Sequence, residues 1–123
     1  MAKPRKHQNH RKVGTKWEKS AVELLKKKGY QILKQNFFSP FGEIDIIAFG
    51  EHTLTFVEVK FRSSDLEDAL FSVGYTKQQR IKRCANHFLA ENPKLQNSPI
   101  QFDVIGFSKQ KNGYKVIHLK NCF

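Results

Sequence analysis

A chain of 123 residues suits one hydrophobic core and leaves little room for a second. Its 22 Lys and Arg against 11 Asp and Glu give a formal charge of +11, which favours a polyanionic partner and carries no information about fold. No apolar run is long enough to span a bilayer, no N-terminal segment looks like a secretion signal, and two cysteines, Cys84 and Cys122, cannot build a disulfide framework. The expected setting is therefore the reducing cytoplasm, with nucleic acid rather than a membrane as the partner.

Residues 1–12 carry Lys3, Arg5, Lys6, Arg11 and Lys12 with no hydrophobic residue beyond Met1 and Ala2. They read as a disordered basic arm ahead of a single domain over residues 13–123. A helix is expected over Thr15–Lys28. On its wheel Leu24, Trp17, Ala21, Leu25 and Val22 form one continuous apolar arc. Glu18 falls inside that arc, whereas Glu23 points the other way among lysines. An acid on the buried face of a helix is costly unless it is paired or holds a metal. A buried salt bridge is the plain explanation, and a place in a functional site is the other.

Gly29 is the expected helix stop, Tyr30–Phe38 a first strand, and Ser39-Pro40-Phe41-Gly42 a turn. The stretch Gly42–Arg62, GEIDIIAFGEHTLTFVEVKFR, is the centre of the chain. Ile44, Ile46 and Ala48 alternate with Glu43, Asp45 and Ile47, and Val57, Val59 and Phe61 alternate with Phe56, Glu58, Lys60 and Arg62. That period-2 pattern predicts two strands around a Gly50–Thr53 turn. Glu58 and Lys60 must share a face. If Glu51-His52 form the tip, Asp45 lies opposite Glu58 and Glu43 opposite Lys60. Cross-strand Cβ atoms are roughly 4.5–5.5 Å apart, close enough for two carboxylates to hold one cation. The plain alternative is a solvated face on which these acids pair with Lys60 and Arg62.

Ser63–Gly74 fits either a short helix capped by Ser64 or Asp65 or a loop over the site. Thr76 is the expected cap of a helix reaching about Glu91, with Ile81, Ala85, Phe88 and Leu89 as its core stripe and Pro93 beyond its end. Lys77, Arg80, Lys82 and Arg83 crowd its first two turns, where the helix dipole is already positive, so a nearby anion such as a phosphate backbone is the functional reading. A solvated basic face is the plain one. Ile100–Phe107 and Tyr114–Leu119 are two further strands joined through Lys111-Asn112-Gly113. Asp103 reads as structural. The five histidines are scattered, none with a partner at zinc spacing.

GEIDIIAF followed by FVEVKFR resembles the YraN-like family of small bacterial proteins. So do Gly14-x-x-x-Glu18, Gly29-Tyr30-x-Ile32-Leu33-x-x-Asn36 and the closing Phe102-Asp103-Val104-Ile105. That family is similar to archaeal Holliday-junction resolvases and to the PD-(D/E)XK superfamily. The resemblance implies an α/β restriction-endonuclease-like core, a mixed sheet of about five strands flanked by helices in the order α-β-β-β-α-β-β. It also implies a metal-dependent endonuclease acting on DNA, with branched or structured DNA among the substrates to expect, and a possible homodimer.

Under that resemblance Asp45, Glu58 and the carbonyl of Val59 would hold Mg²⁺ or Mn²⁺, and Lys60 would orient water and stabilise the phosphoryl group. Glu18 would support the metal from the helix, and Gln78, beside Lys77 in a polar helix motif, would position water or phosphate. Lys77, Arg80, Lys82, Arg83 and Arg62 would contact the nucleic acid. Relatives often carry Arg where Gln101 stands, which leaves that position without a role. The alternative is a nucleic-acid-binding protein with the fold but without significant activity. A third reading is a basic structural protein whose hairpin charges are only surface.

Overall fold

The computed structural model describes residues 16–62 and 73–123. The basic arm and most of the Ser63–Gly74 segment expected from the sequence lie outside the described residues. Helix α1 is described over residues 16–27. It is followed by β1 (Gln31–Ser39), β2 (Gly42–Gly50), β3 (Thr53–Arg62), α2 (Tyr75–Ala90), a 3₁₀ turn at Pro93–Leu95, β4 (Ile100–Gln110) and β5 (Gly113–Leu119). The five strands form one mixed sheet in the order β1-β2-β3-β4-β5. All neighbours are antiparallel except β3 and β4, which are parallel. A parallel pair needs a long crossover, and α2 supplies it. The fold class and element order are those expected.

Side-chain alternation along β3 divides the molecule into two cores. Phe56 packs with Ile81, Cys84, Ala85 and Phe88 of α2, while Val57 packs with Ala21, Val22 and Leu25 of α1. The helices therefore cover opposite faces of the sheet. At the end of α1, Gly29 (φ 93°) takes the left-handed conformation. Tyr30 N–H then reaches Leu25 O at 3.0 Å and Gly29 N–H reaches Lys26 O at 2.9 Å, the bond pair of a Schellman stop.

Tyr30 packs in the α1-side core. It is also the reason for Gly50: a Cβ there would lie 2.7 Å from the Tyr30 ring. The β2–β3 hairpin closes at Gly50↔Thr53 with Glu51 and His52 at its tip, as expected. Both tip residues have positive φ (52° and 61°), the conformation a two-residue turn needs to match strand twist.

Three details differ from the sequence reading. Helix α2 is capped by Gly74 rather than Thr76: Gly74 is extended and its carbonyl accepts the Gln78 N–H at 2.9 Å. Ile44 and Ile46, expected on one face, belong to opposite cores. Strand β2 therefore turns over at Asp45, beside Asn36 of β1, whose φ of 53° marks the matching irregularity. Finally, the β2–β3 ladder has the expected register but stops at Ile46↔Val57, one pair before Asp45 and Glu58.

Candidate active site

The ladder stops because the Asp45 side chain takes its place. Asp45 Oδ2 accepts the Val59 N–H at 2.8 Å, a donor that otherwise faces the β2 backbone. Strands β2 and β3 fork there, and the fork opens into a cleft of about 520 Å³, room for a hydrated cation and a phosphate group together. Trp17 and Glu18 of α1 line one side, Glu43 and Asp45 the β2 arm, Glu58 to Arg62 the β3 arm, and Lys77 and Arg80 the first turns of α2.

Carboxylate oxygens of Glu18, Glu43 and Asp45 all lie within 4.8 Å of one another. Glu18 is buried, as its place in the apolar arc of α1 requires, and Glu58 is buried on the opposite arm. Loss of solvent raises the Asp45 carboxyl well above the ordinary carboxylate range. The Glu58 charge adds to this, the Val59 hydrogen bond opposes it, and Glu18 and Glu43 contribute further upward pressure. A cluster of acids arranged this way favours a proton or a cation. The donors are all hard oxygens, which fits a divalent metal such as Mg²⁺, Mn²⁺ or Ca²⁺ and not a soft one.

Positive groups complete the cleft. Lys77 forms an ion pair with Glu58 Oε2. Lys60 lies on the same strand face as Glu58, and its ammonium is held below the usual lysine range, first by burial and then by Lys77, with Glu58 opposing. Arg62 donates from Nη1 to the Phe61 carbonyl at 2.9 Å.

Of the residues singled out in the sequence, the fold brings Glu18, Asp45, Glu58, Val59, Lys60, Arg62, Lys77 and Arg80 to this one cleft. It does not bring Gln78, Lys82 or Arg83 to its wall. Gln78 Nε2 donates to the Val73 carbonyl at 2.8 Å, holding the chain that enters α2. Lys82 Nζ lies 6.0 Å from the Phe123 ring centroid, and Arg83 is exposed on α2. Glu43 is the residue that sequence reasoning placed elsewhere. The extrapolated ladder assigns it to Lys60, whereas the fork at Asp45 sets it with Glu18. Its spacing of two from Asp45 on one strand was the available signal.

The fold and cleft define a mixed-sheet α/β protein with a clustered-carboxylate, cation-competent site. A family model, "Uncharacterised protein family UPF0102", matches residues 17–107, and the chain belongs to that family. A UPF0102 protein of Thermodesulfovibrio yellowstonii is 42% identical over 112 residues, covering 90% of this chain and 95% of its own. One from Natranaerobius thermophilus is 43% identical over 121 residues, covering 94% and 99%. One from Nitrosococcus oceani is 32% identical over 115 residues, covering 93% of each. Among solved structures, Pyrococcus furiosus SfsA in complex with Ca²⁺ superposes with a TM-score of 0.42 at 15% identity. That match covers 86% of this chain, which spans 63% of that one.

Proposed function

We propose that this protein is a Mg²⁺- or Mn²⁺-dependent endonuclease that hydrolyses phosphodiester bonds in DNA, branched or otherwise structured DNA included. The observation that carries the reading is the convergence of Glu18, Glu43 and Asp45 within 4.8 Å, in a cleft that also holds Glu58, Lys60 and Lys77. Asp45, with Glu43, Glu18 and Glu58 around it, would hold the cation, and the Val59 carbonyl, next to Glu58 on the β3 arm, would be its backbone oxygen. When bound, the metal supplies Lewis-acid neutralisation of the phosphoryl charge and a nucleophile at neutral pH.

The remaining work belongs to side chains of the cleft. Lys60, kept partly from solvent, is placed to donate to a phosphate oxygen as negative charge gathers there. Arg62, Lys77 and Arg80 ring the opening and would fix the strand through its phosphates. Residues 13–123 would act as one domain, with residues 1–12 adding phosphate contacts through their charge. Among the described residues no helix is long and apolar enough to cross a membrane.

A second reading, a nucleic-acid binder without significant activity, draws on the Lys77–Glu58 ion pair, which balances one acid without any metal. One assay separates the two. Purified protein is incubated with a labelled linear duplex and a labelled four-way junction in Mg²⁺, Mn²⁺ or EDTA, beside Asp45→Asn. The endonuclease reading expects metal-dependent cleavage by the parent alone. Binding without cleavage in either metal would leave the second reading standing.

A further inference from the structure

Beside the acid cleft, the α1 face of the sheet carries an aromatic cluster that the proposed chemistry does not use. Phe61 of β3 stacks on Trp17 of α1 with ring centroids 4.6 Å apart and planes within 12°. Trp17 also meets Phe107 of β4 at 5.0 Å and the edge of Tyr114 of β5 at 5.0 Å. An interior cluster would be closed to solvent, and this one is not: Phe61 is 36% exposed, Tyr114 50% and Val116 of the same strand 42%. Trp17 and Phe61 are also walls of the acid cleft, so the platform begins where the cleft ends.

We propose that this platform stacks unpaired nucleobases, so that the strand entering the cleft is single-stranded at or beside the phosphate it presents. The inference rests on the nucleic-acid reading above and narrows its substrate class. Aromatic faces that hold successive bases beside cationic groups that hold the backbone are the recurring design of single-strand sites. Here the cations are at hand: Lys16 Nζ lies 4.9 Å from the Trp17 ring centroid, and Arg62, Lys77 and Arg80 line the adjoining cleft. A base paired inside a duplex offers its face to its neighbours and not to a protein ring. Charge favours this occupant over a second copy of the chain, because two molecules of +11 repel while a polyanion is attracted.

The test is equilibrium binding in EDTA, where no cleavage is needed. The probes are a labelled oligothymidylate, an abasic oligonucleotide of equal length and a blunt duplex. Phe61→Leu and Tyr114→Leu keep apolar bulk and remove the ring, and thermal melts establish that each is folded. If Phe61→Leu does not fold, Tyr114→Leu carries the comparison. The expected result is a loss of about tenfold on oligothymidylate, with the abasic strand and the duplex changed less than about twofold.

Equal losses on all three probes, or none on oligothymidylate, overturn the proposal. So does a variant that shifts a dimer to monomer in light scattering while its discrimination among probes is intact, because the platform is then a contact between copies. A parent that binds oligothymidylate and duplex yet is insensitive to both substitutions overturns this inference alone. A parent that binds neither overturns the nucleic-acid reading with it.

Discussion

Asp103 in the middle of β4 and Asp45 at the fork of β2 are both drawn into the sheet, yet their surroundings differ in kind. Asp103 is fully buried and meets only donors. Gln101 Nε2 and Asn121 N–H reach Oδ1 at 3.0 and 2.9 Å, and His118 Nε2 lies 2.8 Å from Oδ2. Behind the imidazole, Lys28 Nζ lies 2.8 Å from Nδ1. An ammonium can only donate, so Nδ1 accepts and Nε2–H is the proton pointed at Asp103. The chain thus closes this acid with its own groups and ties β5 and the C-terminal residues to the sheet. Asp45 accepts the Val59 N–H and otherwise faces Glu18, Glu43 and Glu58 across a cleft open to solvent. An acid surrounded by donors serves the fold. An acid that faces other acids costs stability, and a proton or a cation at the cluster would offset that cost.

The largest expected effect lies at the cleft. Asp45→Asn and Glu58→Gln should each lower metal-dependent cleavage by on the order of a thousandfold or more, with the fold retained by thermal melt. A folded Glu58→Gln protein with full activity would remove Glu58 from the site. Asp103→Ala should do the reverse, leaving the chemistry of the cleft in place and striking stability. It strands the buried His118 N–H and removes the acceptor of the Asn121 N–H, and breaking a buried pair from one side costs about 3 kcal/mol. Urea unfolding measures it, and a loss no greater than that of an exposed substitution would mean that water replaces the carboxylate there.

The comparison sharpens with pH. Burial and the Glu58 charge raise the folded-state pKa of Asp45 above its unfolded value, so the folded protein prefers the protonated form. The stability from this group is then full below the unfolded pKa, near 3.9, and is lost as pH rises through the raised folded value. Asn imitates the protonated carboxyl. Metal-free Asp45→Asn should therefore melt above the parent at neutral pH, and the difference should close as pH falls toward about 4. A variant that melts below the parent at neutral pH in EDTA would show Asp45 to be structural, like Asp103.

Much of this division is legible in the residues alone. Period-2 alternation around Gly50–Thr53 gives β2 and β3 with their register, and the apolar arc of α1 gives Glu18 its inward direction. Both follow from local periodicity. The fork is not legible, because it depends on a side chain, Asp45, displacing a backbone acceptor at Val59. Extrapolating a regular ladder past that point sends Glu43 to Lys60 instead of to Glu18 and Asp45. Gln78 shows the same limit from the other side. Its position on α2 suits a site residue, but Gly74 opens the helix without a side-chain cap, and the Gln78 amide is drawn to Val73. The Asp103–His118–Lys28 chain joins residues up to 90 positions apart, which no local pattern encodes.

The smallest effect concerns Glu58, the cleft acid that pairs with Lys77. Lys77, half-exposed on the first turn of α2, pairs with the buried Glu58. An ammonium and an entering cation compete for that carboxylate, so Lys77→Gln should tighten Mn²⁺ binding. Unit charges at 4 Å interact by about 4 kcal/mol at an effective dielectric of 20, but an ammonium this open to water loses most of that. Exposed pairs are worth up to about 1 kcal/mol, so an increase of about fivefold in cation affinity by calorimetry is the expected size. The same substitution removes a phosphate contact, and the log–log salt slope of duplex binding should fall by about 0.9. The two readings move in opposite directions, which general damage to the fold would not produce. A folded Lys77→Gln protein with unchanged Mn²⁺ affinity would show that the cation does not meet Glu58, and would confine it to Glu18, Glu43 and Asp45.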